Sequence, residues 1–464
     1  MTSVRPIPAI ARAFTLADQR EFAELSGDWN LLHVDPVAAR RTLLGAPVVH
    51  GVHLVMWALE GALAGASGEV VVDRVRAAFR NPAYLDRELV ARFDTDTIEV
   101  RDDGRVVLDL AFQMRDASHV RANRILQPPG SADALDRSFD DAASASGALV
   151  LMLDVERASR TFPACVARLG NLAVAELLAT TRLVGMIAPG LHSLYAGLAL
   201  TSQLPHAGGD AVLRYEVAKA IARYSSIALS VRGAVWSGTL DTFYRPPPAV
   251  VPLDEVVRLV APSEYASQRA LVIGGSRGLG EALVKALALG GADVAFTYRV
   301  GERDAARVAG ELAATGHPVR SFEFDVLAPG VLAQRWGASA PPTHLYYVAN
   351  PAPRSERELA MRVLATSLDD VVAETIALGA AAIPLVVWVP STAVLDGPGG
   401  PADLRAAKLA VEAACAELPA RFPVTVHVPR LPKFATDQSA ALIRVPLPSP
   451  IAIAVDELRR LASG

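Results

Sequence analysis

A carboxylate and an imidazole lie close together near the start of the chain. Asp28 and His33 are titratable members of the stretch 26–35, and a His50-Gly51 pair precedes a long apolar run. Histidine titrates near neutral pH and a positioned carboxyl group can give or take a proton, so the two form an acid–base pair. Adding or removing water across a carbon–carbon double bond needs one acid and one base together. The spacing therefore indicates hydration or dehydration chemistry.

The stretch 26–35 resembles the hydratase signature of MaoC-like hot dog proteins, the (R)-specific enoyl-thioester hydratases. In that family the pattern reads roughly Ser-Gly-Asp-x-Asn-Pro-x-His-x-Asp, followed by His-Gly at the start of the central helix. Every polar position matches, and only the proline is replaced, by Leu31. The resemblance implies that Asp28 and His33 are catalytic and that Asn30 positions the reactive loop. It also implies that the Gly51 amide polarises the thioester carbonyl.

Two other interpretations of these side chains are open. A single histidine is most often structural, and Asp28 is also a suitable loop or capping residue. A metal site is the second alternative by ligand type, but the spacing matches no zinc motif, so we predict no metal. Its candidate ligands are His33, Asp35, His50 and His53.

Composition excludes several classes of protein. The 464 residues carry a formal net charge of −4 with a pI near 6.2, so no basic excess is available for binding nucleic acid. The two cysteines, Cys165 and Cys415, predict no disulfide framework and a reducing, cytoplasmic location. The chain has no signal-peptide core and no uninterrupted run of roughly 18 apolar residues, so we expect no membrane segment.

Two linker-like breaks divide the chain into three parts. Pro, Gly, Ser and Asp are concentrated between 127 and 146, and Pro246-Pro247-Pro248 forms the second break. We therefore predict domains at 1–127, 147–247 and 262–464.

The first part is predicted to be one buried helix wrapped by an antiparallel sheet. The run 51–63 is apolar nearly all round, and strand patterns cover 70–75, 88–93 and 106–112. This arrangement fits the hot dog fold that the resemblance implies.

The second part repeats one feature of the first. Gly190 and His192 lie in an apolar stretch similar to the one around Gly51 and His53, although the second stretch is one residue shorter. The similarity predicts a second helix after Gly190. We interpret both histidines as packed helix residues. Strand patterns follow at 212–218 and 226–236. The part 147–247 is thus interpreted as a degenerate second half, without an acid–base pair, that completes a double hot dog; an unrelated α+β segment is the alternative.

Beyond the second break, strand and helix patterns alternate. A buried strand pattern at 269–273 leads into Gly274-Gly275-Ser276-Arg277-Gly278-Leu279-Gly280, which resembles the fingerprint of short-chain dehydrogenases/reductases. Such glycines let a pyrophosphate approach a helix N-terminus closely. Further strand patterns lie at 293–298, 322–326, 345–350 and 384–389. The predicted fold class is therefore an α+β double hot dog followed by an α/β Rossmann-type doubly wound parallel sheet.

This second resemblance implies NADP as the cofactor, if the domain binds one. Arg277 and Arg299 stand where NADP-preferring members bind the 2′-phosphate, although surface charge explains them equally well. Asp325 stands where the family contacts adenine, and Lys408 where it holds the nicotinamide ribose. The candidate cofactor-binding residues are Gly274, Ser276, Arg277, Gly278, Gly280, Arg299, Asp325, Asn350 and Lys408.

The proton donor of that family is missing. Its members reduce ketones with a Ser, a Tyr and a Lys in a fixed register. Ser391 and Lys408 fit the register, but Leu404 occupies the Tyr position, and no tyrosine follows Tyr347. Leucine cannot donate a proton, so the sequence predicts a reductase-like domain that does not reduce ketones.

The sequence as a whole predicts a dehydratase/hydratase for 3-hydroxyacyl or 2-enoyl thioesters. The carrier would be an acyl carrier protein or coenzyme A, the step would need no cofactor, and the context would be fatty-acid or polyketide-type biosynthesis. Two alternatives are an NADP-dependent 3-oxoacyl-thioester reductase and a non-enzymatic scaffold that docks carrier proteins. A homodimer is compatible with each of them.

Overall fold

The computed structural model contains two compact units. One comprises 1–247 with 441–444, and the other comprises 248–440 with 445–464. The structure describes residues 8–66, 70–116, 123–203, 210–328, 330–337, 340–351, 357–379, 385–399, 402–442 and 446–463.

One antiparallel sheet of ten strands organises the described part of the first unit. The strands are β1 (Ile10–Ala13), β2 (Val70–Phe79), β3 (Glu88–Phe93), β4 (Thr97–Asp102), β5 (Arg105–Asp116), β6 (Ser146–Val150), β7 (Ser193–Ser202), β8 (Val212–Ile221), β9 (Ser226–Arg232) and β10 (Trp236–Tyr244). They lie in the order β1-β3-β4-β5-β2-β7-β10-β9-β8-β6. The order β1-β3-β4-β5-β2 is repeated as β6-β8-β9-β10-β7, so the sheet consists of two halves with the same topology.

Eight α-helices belong to the described residues of this unit. They are α1 (Leu16–Ser26), α2 (Leu31–Val34), α3 (Pro36–Ala39), α4 (Gly51–Ala64), α5 (Phe139–Ala143), α6 (Val155–Thr161), α7 (Pro163–Leu169) and α8 (Asn171–Arg182). A π-helical turn, Leu183–Ile187, extends α8.

Each half of the sheet packs on one apolar helix. α4 precedes β2 in the first half, and α8 holds the same place before β7 in the second. Every residue of α4 from Val52 to Leu59 is buried, and so is every residue of α8. Burial of a large apolar side chain contributes about 1.5–3 kcal/mol, so these two helices anchor the core. The helix predicted at 51–63 is confirmed.

The two halves share one hydrophobic core. β2 and β7 pair antiparallel, with Ala77 opposite Leu198, which makes the sheet continuous. The Glu60 carboxylate on α4 accepts the amides of Ala164 at 2.8 Å and Cys165 at 2.9 Å, at the start of α7. Sheet and helices of the two halves are therefore joined directly.

The predicted position of the second half's helix is wrong. Gly190–His192 is a short 3₁₀ turn that leads into β7, and no helix begins there. The equivalent of α4 is α8, which ends before Gly190, so its first residue, Asn171, corresponds to Gly51. His192 is accordingly a turn residue, whereas His53 packs within a helix as predicted, with its ring stacked on Phe22 at 4.4 Å.

The stretch predicted as the first linker packs against the second half. The Leu135 amide donates to the Met186 carbonyl, and the Leu191 amide donates to the Leu135 carbonyl, both at 2.9 Å. Short helix α5 also lies in this stretch. The strand predicted to run through 236 is two strands, β9 and β10. The Glu176 carboxylate accepts the amides of Ala234, in the turn between them, and of Trp236, the first residue of β10.

A six-stranded parallel sheet forms the centre of the second unit. Its strands are β11 (Arg269–Ile273), β12 (Asp293–Tyr298), β13 (Arg320–Glu323), β14 (His344–Tyr347), β15 (Leu385–Trp388) and β17 (Val424–His427), and β16 (Ser391–Thr392) pairs with β18 (Arg430–Leu431). The order β13-β12-β11-β14-β15-β17 is that of the doubly wound Rossmann fold. The parallel sheet predicted from the sequence is therefore present, with β17 in addition.

Helices cover both faces of this sheet. The helices of the unit are α9 (Leu253–Leu259), α10 (Gly278–Leu289), α11 (Glu302–Ala314), α12 (Leu332–Trp336), α13 (Arg357–Met361), α14 (Ser367–Ala377), α15 (Ala402–Arg421) and α16 (Pro450–Ser463). α9, α10, α11 and α16 contribute to one apolar layer, and α12, α14 and α15 contribute to the other. Because α9 packs with α10, this unit begins before residue 262, where the sequence placed its start.

No single helix among the described residues has both the length and the apolar composition needed to cross a membrane. One sharply bent pair, Pro163–Leu169 with Asn171–Ile187, meets the criterion by length and composition alone.

Candidate active site

The Asp28 carboxylate is buried between the two halves of the first unit. α1 ends in a left-handed turn at Gly27, which places Asp28 in the interior with 1% of its surface exposed. Its Oδ1 accepts the Asn30 amide at 3.2 Å, and its Oδ2 accepts the Thr181 hydroxyl at 2.6 Å. Thr181 lies on α8, so the second half supplies a hydrogen bond to this carboxylate.

Gly185 makes room for the same carboxylate. A Cβ at this position would overlap the Asp28 Oδ1 and would lie 2.6 Å from its Cγ. Gly185 belongs to the π-helical turn after α8. The second half therefore contributes the Thr181 hydroxyl as a donor and, at Gly185, the space that the carboxylate occupies.

His33 lies on α2 with one ring nitrogen fixed. Its Nδ1 is 2.8 Å from the Val48 carbonyl oxygen, which can only accept, so Nδ1 carries the proton in the neutral ring. Nε2 is then the nitrogen able to accept a proton. The His33 ring stacks on that of His50, with centroids 3.9 Å apart.

His50 connects the pair to the start of α4. The Gln19 side-chain oxygen accepts the His50 amide at 3.0 Å and lies 2.9 Å from the His50 Nδ1. The His50 Nε2 lies 3.0 Å from the Asp28 backbone oxygen and 4.0 Å from the Asp28 Oδ2. His50 thus lies beneath His33 and beside Asp28, and its orientation is set by Gln19.

Asn30 holds the loop between Asp28 and His33. Its side-chain oxygen accepts the Leu32 amide and so caps α2, while its Nδ2 donates to the carbonyls of Gly185 at 2.8 Å and Gly190 at 3.2 Å. The loop is fixed to the second half through these bonds.

Gly51 is the first residue of α4. An amide in the first turn of a helix has no acceptor within that helix, so it is available to a ligand. A Cβ on Gly51 would lie 2.7 Å from the Phe79 ring, which in turn contacts Tyr195 edge-on at 5.3 Å. The glycine is therefore required by the aromatic packing, a reason that the sequence did not reveal.

Burial separates the pKa values of the two acid–base candidates. Desolvation raises the pKa of Asp28 to about 6, against the hydrogen bonds from Thr181 and Asn30 that lower it. Desolvation lowers the pKa of His33 to about 4, with the hydrogen bond to Val48 opposing this shift and the positive charge of Arg245 adding to it. At neutral pH Asp28 is mainly ionised and His33 is neutral.

The titratable cluster is poorly shaped for a metal ion. One ligand atom from each of Asp28, His33 and His50 lies within 4.8 Å of the others. However, the two imidazole planes are stacked at 24°, so their lone pairs run side by side and do not converge on one point. Asp35 caps α3 and His53 packs on Phe22, so neither joins the cluster. The geometry favours proton transfer.

The second unit contains a tight glycine turn after β11. Gly274 has φ +89°, and a Cβ on Gly280 would overlap the Gly274 carbonyl oxygen. α10 therefore approaches β11 more closely than any other residue would permit. The turn lies near the loop after β14, because a Cβ on Gly274 would be 3.1 Å from the Ala349 nitrogen. This is the crevice where doubly wound sheets bind nucleotides.

Comparison with known proteins assigns families to both regions. Residues 5–108 match the model of the MaoC like domain, and residues 268–334 match that of the short chain dehydrogenase family. The chain carries a MaoC-like dehydratase domain followed by a short-chain dehydrogenase domain.

A curated relative agrees with the first assignment. The mitochondrial 3-hydroxyacyl-[acyl-carrier-protein] dehydratase of Arabidopsis thaliana is 34% identical over 79 residues, which are 17% of this chain. The match covers 47% of that protein, so the chain spans about half the length of the curated relative.

Solved structures similar to the chain include three short-chain dehydrogenases. A dehydrogenase/reductase from Sinorhizobium meliloti is 20% identical, with a TM-score of 0.36, covering 46% of this chain and 92% of that one. An enzyme from Shigella flexneri is 20% identical, with a TM-score of 0.38, covering 43% and 87%. One from Burkholderia cenocepacia, solved with NADP, is 20% identical, with a TM-score of 0.37, covering 43% and 92%.

The glycine turn of the short-chain dehydrogenase domain fits the pyrophosphate of a dinucleotide. Gly274, Ser276, Gly278 and Gly280 would hold it at the start of α10. The arginines predicted to bind the 2′-phosphate are placed less favourably. Arg299 pairs with Asp325 at 3.0 Å, and Arg277 lies 3.7 Å from the Asp437 carboxylate. These carboxylates would compete with a phosphate, so the preference for NADP stays a prediction.

The polar side chains at the predicted reductase positions have partners within the domain. The Ser391 hydroxyl donates to the Glu412 carboxylate at 2.5 Å, and that carboxylate also accepts from Arg430. The Lys408 ammonium donates to the Pro390 carbonyl at 2.9 Å, and burial lowers its pKa to about 8. Leu404 lies one turn before Lys408 on α15. Asn350 lies beyond the end of β14, which stops at Tyr347, earlier than the strand pattern 345–350 predicted.

Sequence reasoning missed the second half's share of the MaoC-like site. Thr181 and Gly185 contact Asp28 although more than a hundred residues separate them in the chain. No local pattern marks Thr181, since every residue of α8 is buried. Arg245, whose charge acts on His33, was also overlooked.

Gly185→Ala should impair catalysis through Asp28. The added methyl group overlaps the Asp28 Oδ1, so the carboxylate must move, and displacement on the order of 1 Å costs about 10²-fold in rate. Hydration of an enoyl thioester, followed by loss of its absorbance, measures kcat/KM.

Gly310→Ala is the matched control, because a Cβ at Gly310 on α11 meets nothing within 4 Å. Equal rates for Gly185→Ala and Gly310→Ala would show that the second half does not position Asp28.

Proposed function

We propose that the chain is a dehydratase/hydratase acting on 3-hydroxyacyl or 2-enoyl thioesters. The observation that carries the proposal is the buried Asp28 carboxylate beside a neutral His33 with a free Nε2, in a domain of the MaoC-like family. An acid and a base at one apolar site suit the removal of water from a 3-hydroxyacyl group. Neither dehydration nor hydration requires a redox cofactor.

We assign the proton transfers from the order of the pKa values. The one proton that the pair shares resides on Asp28, whose pKa of about 6 is above the value of about 4 for His33. In dehydration, neutral His33 would take the C2 proton through Nε2 while Asp28 gives its proton to the departing hydroxyl. In hydration the roles reverse: ionised Asp28 takes a proton from water, and protonated His33 gives one to C2.

The Gly51 amide is proposed to stabilise charge on the thioester oxygen. Loss of the C2 proton places negative charge on that oxygen, and the N-terminus of α4 presents an unpaired donor with a favourable dipole. A single donor of this kind typically contributes about 2.7–4 kcal/mol to transition-state stabilisation. Asn30 would hold the loop that carries Asp28 and His33 in a fixed position relative to the Gly51 amide.

We infer that the two halves form a double hot dog. Support comes from the repeated strand order, the helix at the same place in each half and the pairing of β2 with β7. The second half would then supply what a partner subunit supplies to a single hot dog. An acyl carrier protein or coenzyme A is the proposed carrier, in fatty-acid or polyketide-type biosynthesis, and the similarity to an acyl-carrier-protein dehydratase supports this choice.

For the second unit we propose nucleotide binding without ketone reduction. The glycine turn suits a dinucleotide, but hydride transfer to a ketone leaves an alkoxide that needs a proton. Leu404 cannot supply one, and Ser391 already donates to Glu412. An unpaired charge beside an apolar side chain is strongly unfavourable.

Asp28→Asn and His33→Ala should each lower kcat by roughly 10²–10⁴-fold, the usual contribution of a positioned acid or base. Crotonyl thioester hydration measures this loss. Asp35→Asn serves as the control, because Asp35 belongs to the same motif but caps α3, a role that Asn also fulfils. Full activity in both catalytic variants would contradict the proposed function.

Thr181→Val should shift the pH dependence of dehydration upwards. The Thr181 hydroxyl stabilises ionised Asp28, so its removal raises the pKa of Asp28 above about 6. Asp28 must be protonated to act as the acid, so activity is lost as pH rises through its pKa. The descending limb of kcat/KM therefore moves to higher pH.

Thr180→Val is the control for this shift, because the buried Thr180 hydroxyl donates to the Leu177 carbonyl instead. A descending limb at the same pH in native protein and Thr181→Val would refute the assignment of Asp28 as the acid.

NADPH should bind to the chain without being oxidised by a 3-oxoacyl thioester. Fluorescence titration measures the binding, and Gly280→Ala should abolish it, because the new methyl group overlaps the Gly274 carbonyl oxygen. Robust NADPH oxidation by the native chain, together with loss of that oxidation in Lys408→Ala, would support the reductase alternative instead.

A further inference from the structure

Arg245 is a buried cation without an anionic partner. It follows β10 directly, and 3% of its surface is exposed. Its one side-chain hydrogen bond in the described structure is to the Leu191 carbonyl at 2.5 Å, and its Nε has no acceptor. Among the described residues, no carboxylate lies within ion-pair distance of it.

Such an arrangement is unfavourable for the isolated protein. A guanidinium offers five N–H donors, and burying it without a counter-charge forfeits much of its hydration. Burial lowers the pKa of Arg245 only to about 10, so it stays charged at neutral pH. A ligand that supplied an anion would complete its interactions.

The position of Arg245 connects it to the proposed catalytic pair. The Leu191 carbonyl that accepts from Arg245 also accepts the Asn30 Nδ2 at 3.3 Å. The Asn30 backbone oxygen in turn accepts the His33 amide at 2.9 Å. The positive charge of Arg245 also lowers the pKa of both His33 and His192.

Asp136, the acidic residue bound to His192, is not a partner for Arg245. Its carboxylate lies 3.0 Å from the His192 Nε2 and its side chain is 74% exposed. The buried Arg245 guanidinium therefore keeps donors that no carboxylate of the described residues occupies.

We propose that Arg245 binds a carboxylate carried on the acyl group of the substrate. This inference rests on the proposed dehydratase function and specifies its substrate class. His33 acts at C2 of the acyl chain, so a cation near His33 meets the acyl part, whereas the phosphate of a pantetheine arm lies far from the reacting carbons. An acyl group that ends in methyl would leave the Arg245 donors unpaired and be disfavoured.

Matched pairs of enoyl thioesters test this specificity with the full-length chain. Each pair has the same chain length, from four to six carbons, and ends in either a methyl group or a carboxylate; the shortest pair is the coenzyme A thioesters of crotonate and fumarate. We expect the native chain to favour the carboxylate member of at least one pair by about 10- to 100-fold in kcat/KM.

Arg245→Gln should remove that preference, because the cation is lost, while Arg245→Lys should restore part of it. Arg182→Gln is the matched control, because Arg182 is also buried, has no ion pair among the described residues and donates to the Val150 carbonyl. It should keep the native preference.

Binding provides a second readout that does not depend on turnover. Calorimetry with Asp28→Asn should detect the carboxylate-bearing thioester, and adding Arg245→Gln should weaken its affinity by at least ten-fold. Equal loss for both members of every pair, or no preference in the native chain, would overturn the proposal. Failure of the native chain to hydrate any of these thioesters would instead refute the proposed function.

Discussion

The burial of one carboxylate is the constraint on which the MaoC-like site depends. An ionised Asp28 in an apolar interior is costly unless donors surround it. One of its donors, the Asn30 amide, lies in the same loop, whereas the other, Thr181, lies in the second half of the unit. Gly185 must also lack a side chain for the carboxylate to fit. Joining the halves through β2 and β7 thus positions the buried carboxylate as well as stabilising the fold.

The sequence predicted those features of the site that depend on residues close together in the chain. The spacing of Asp28 and His33 predicted that they would meet, and a short loop with α2 does bring them to one site. The all-round apolar character of α4 likewise predicted its burial. Thr181 could not be found in this way, because a wholly buried helix carries no polar stripe that marks which side faces the site. The match of Gly190 to Gly51 was wrong because the two glycines have different structural roles. Gly51 begins a helix, whereas Gly190 lies in a short turn.

The short-chain dehydrogenase domain shows how a correct register can still mislead. Ser391 and Lys408 occupy the predicted places on the fold, yet Ser391 donates to Glu412, four residues after Lys408 and one turn along α15. Arg299 at the end of β12 similarly meets Asp325, which follows the neighbouring strand. That these motif residues reach the crevice stays a prediction. Their partners come from elements that a motif does not include, and those partners decide what chemistry is left.

The electrostatic asymmetry of the MaoC-like site follows from the same burial. Desolvation penalises charge of either sign, so it raises the pKa of Asp28 and lowers that of His33. Arg245 adds to the second effect, because its positive charge opposes protonation of His33. In the proposed mechanism this cation helps to keep the base neutral, and the same cation would be available to an anionic substrate. Neutralising Arg245 with a bound carboxylate would let the pKa of His33 rise, so substrate binding and proton affinity would be coupled through one side chain.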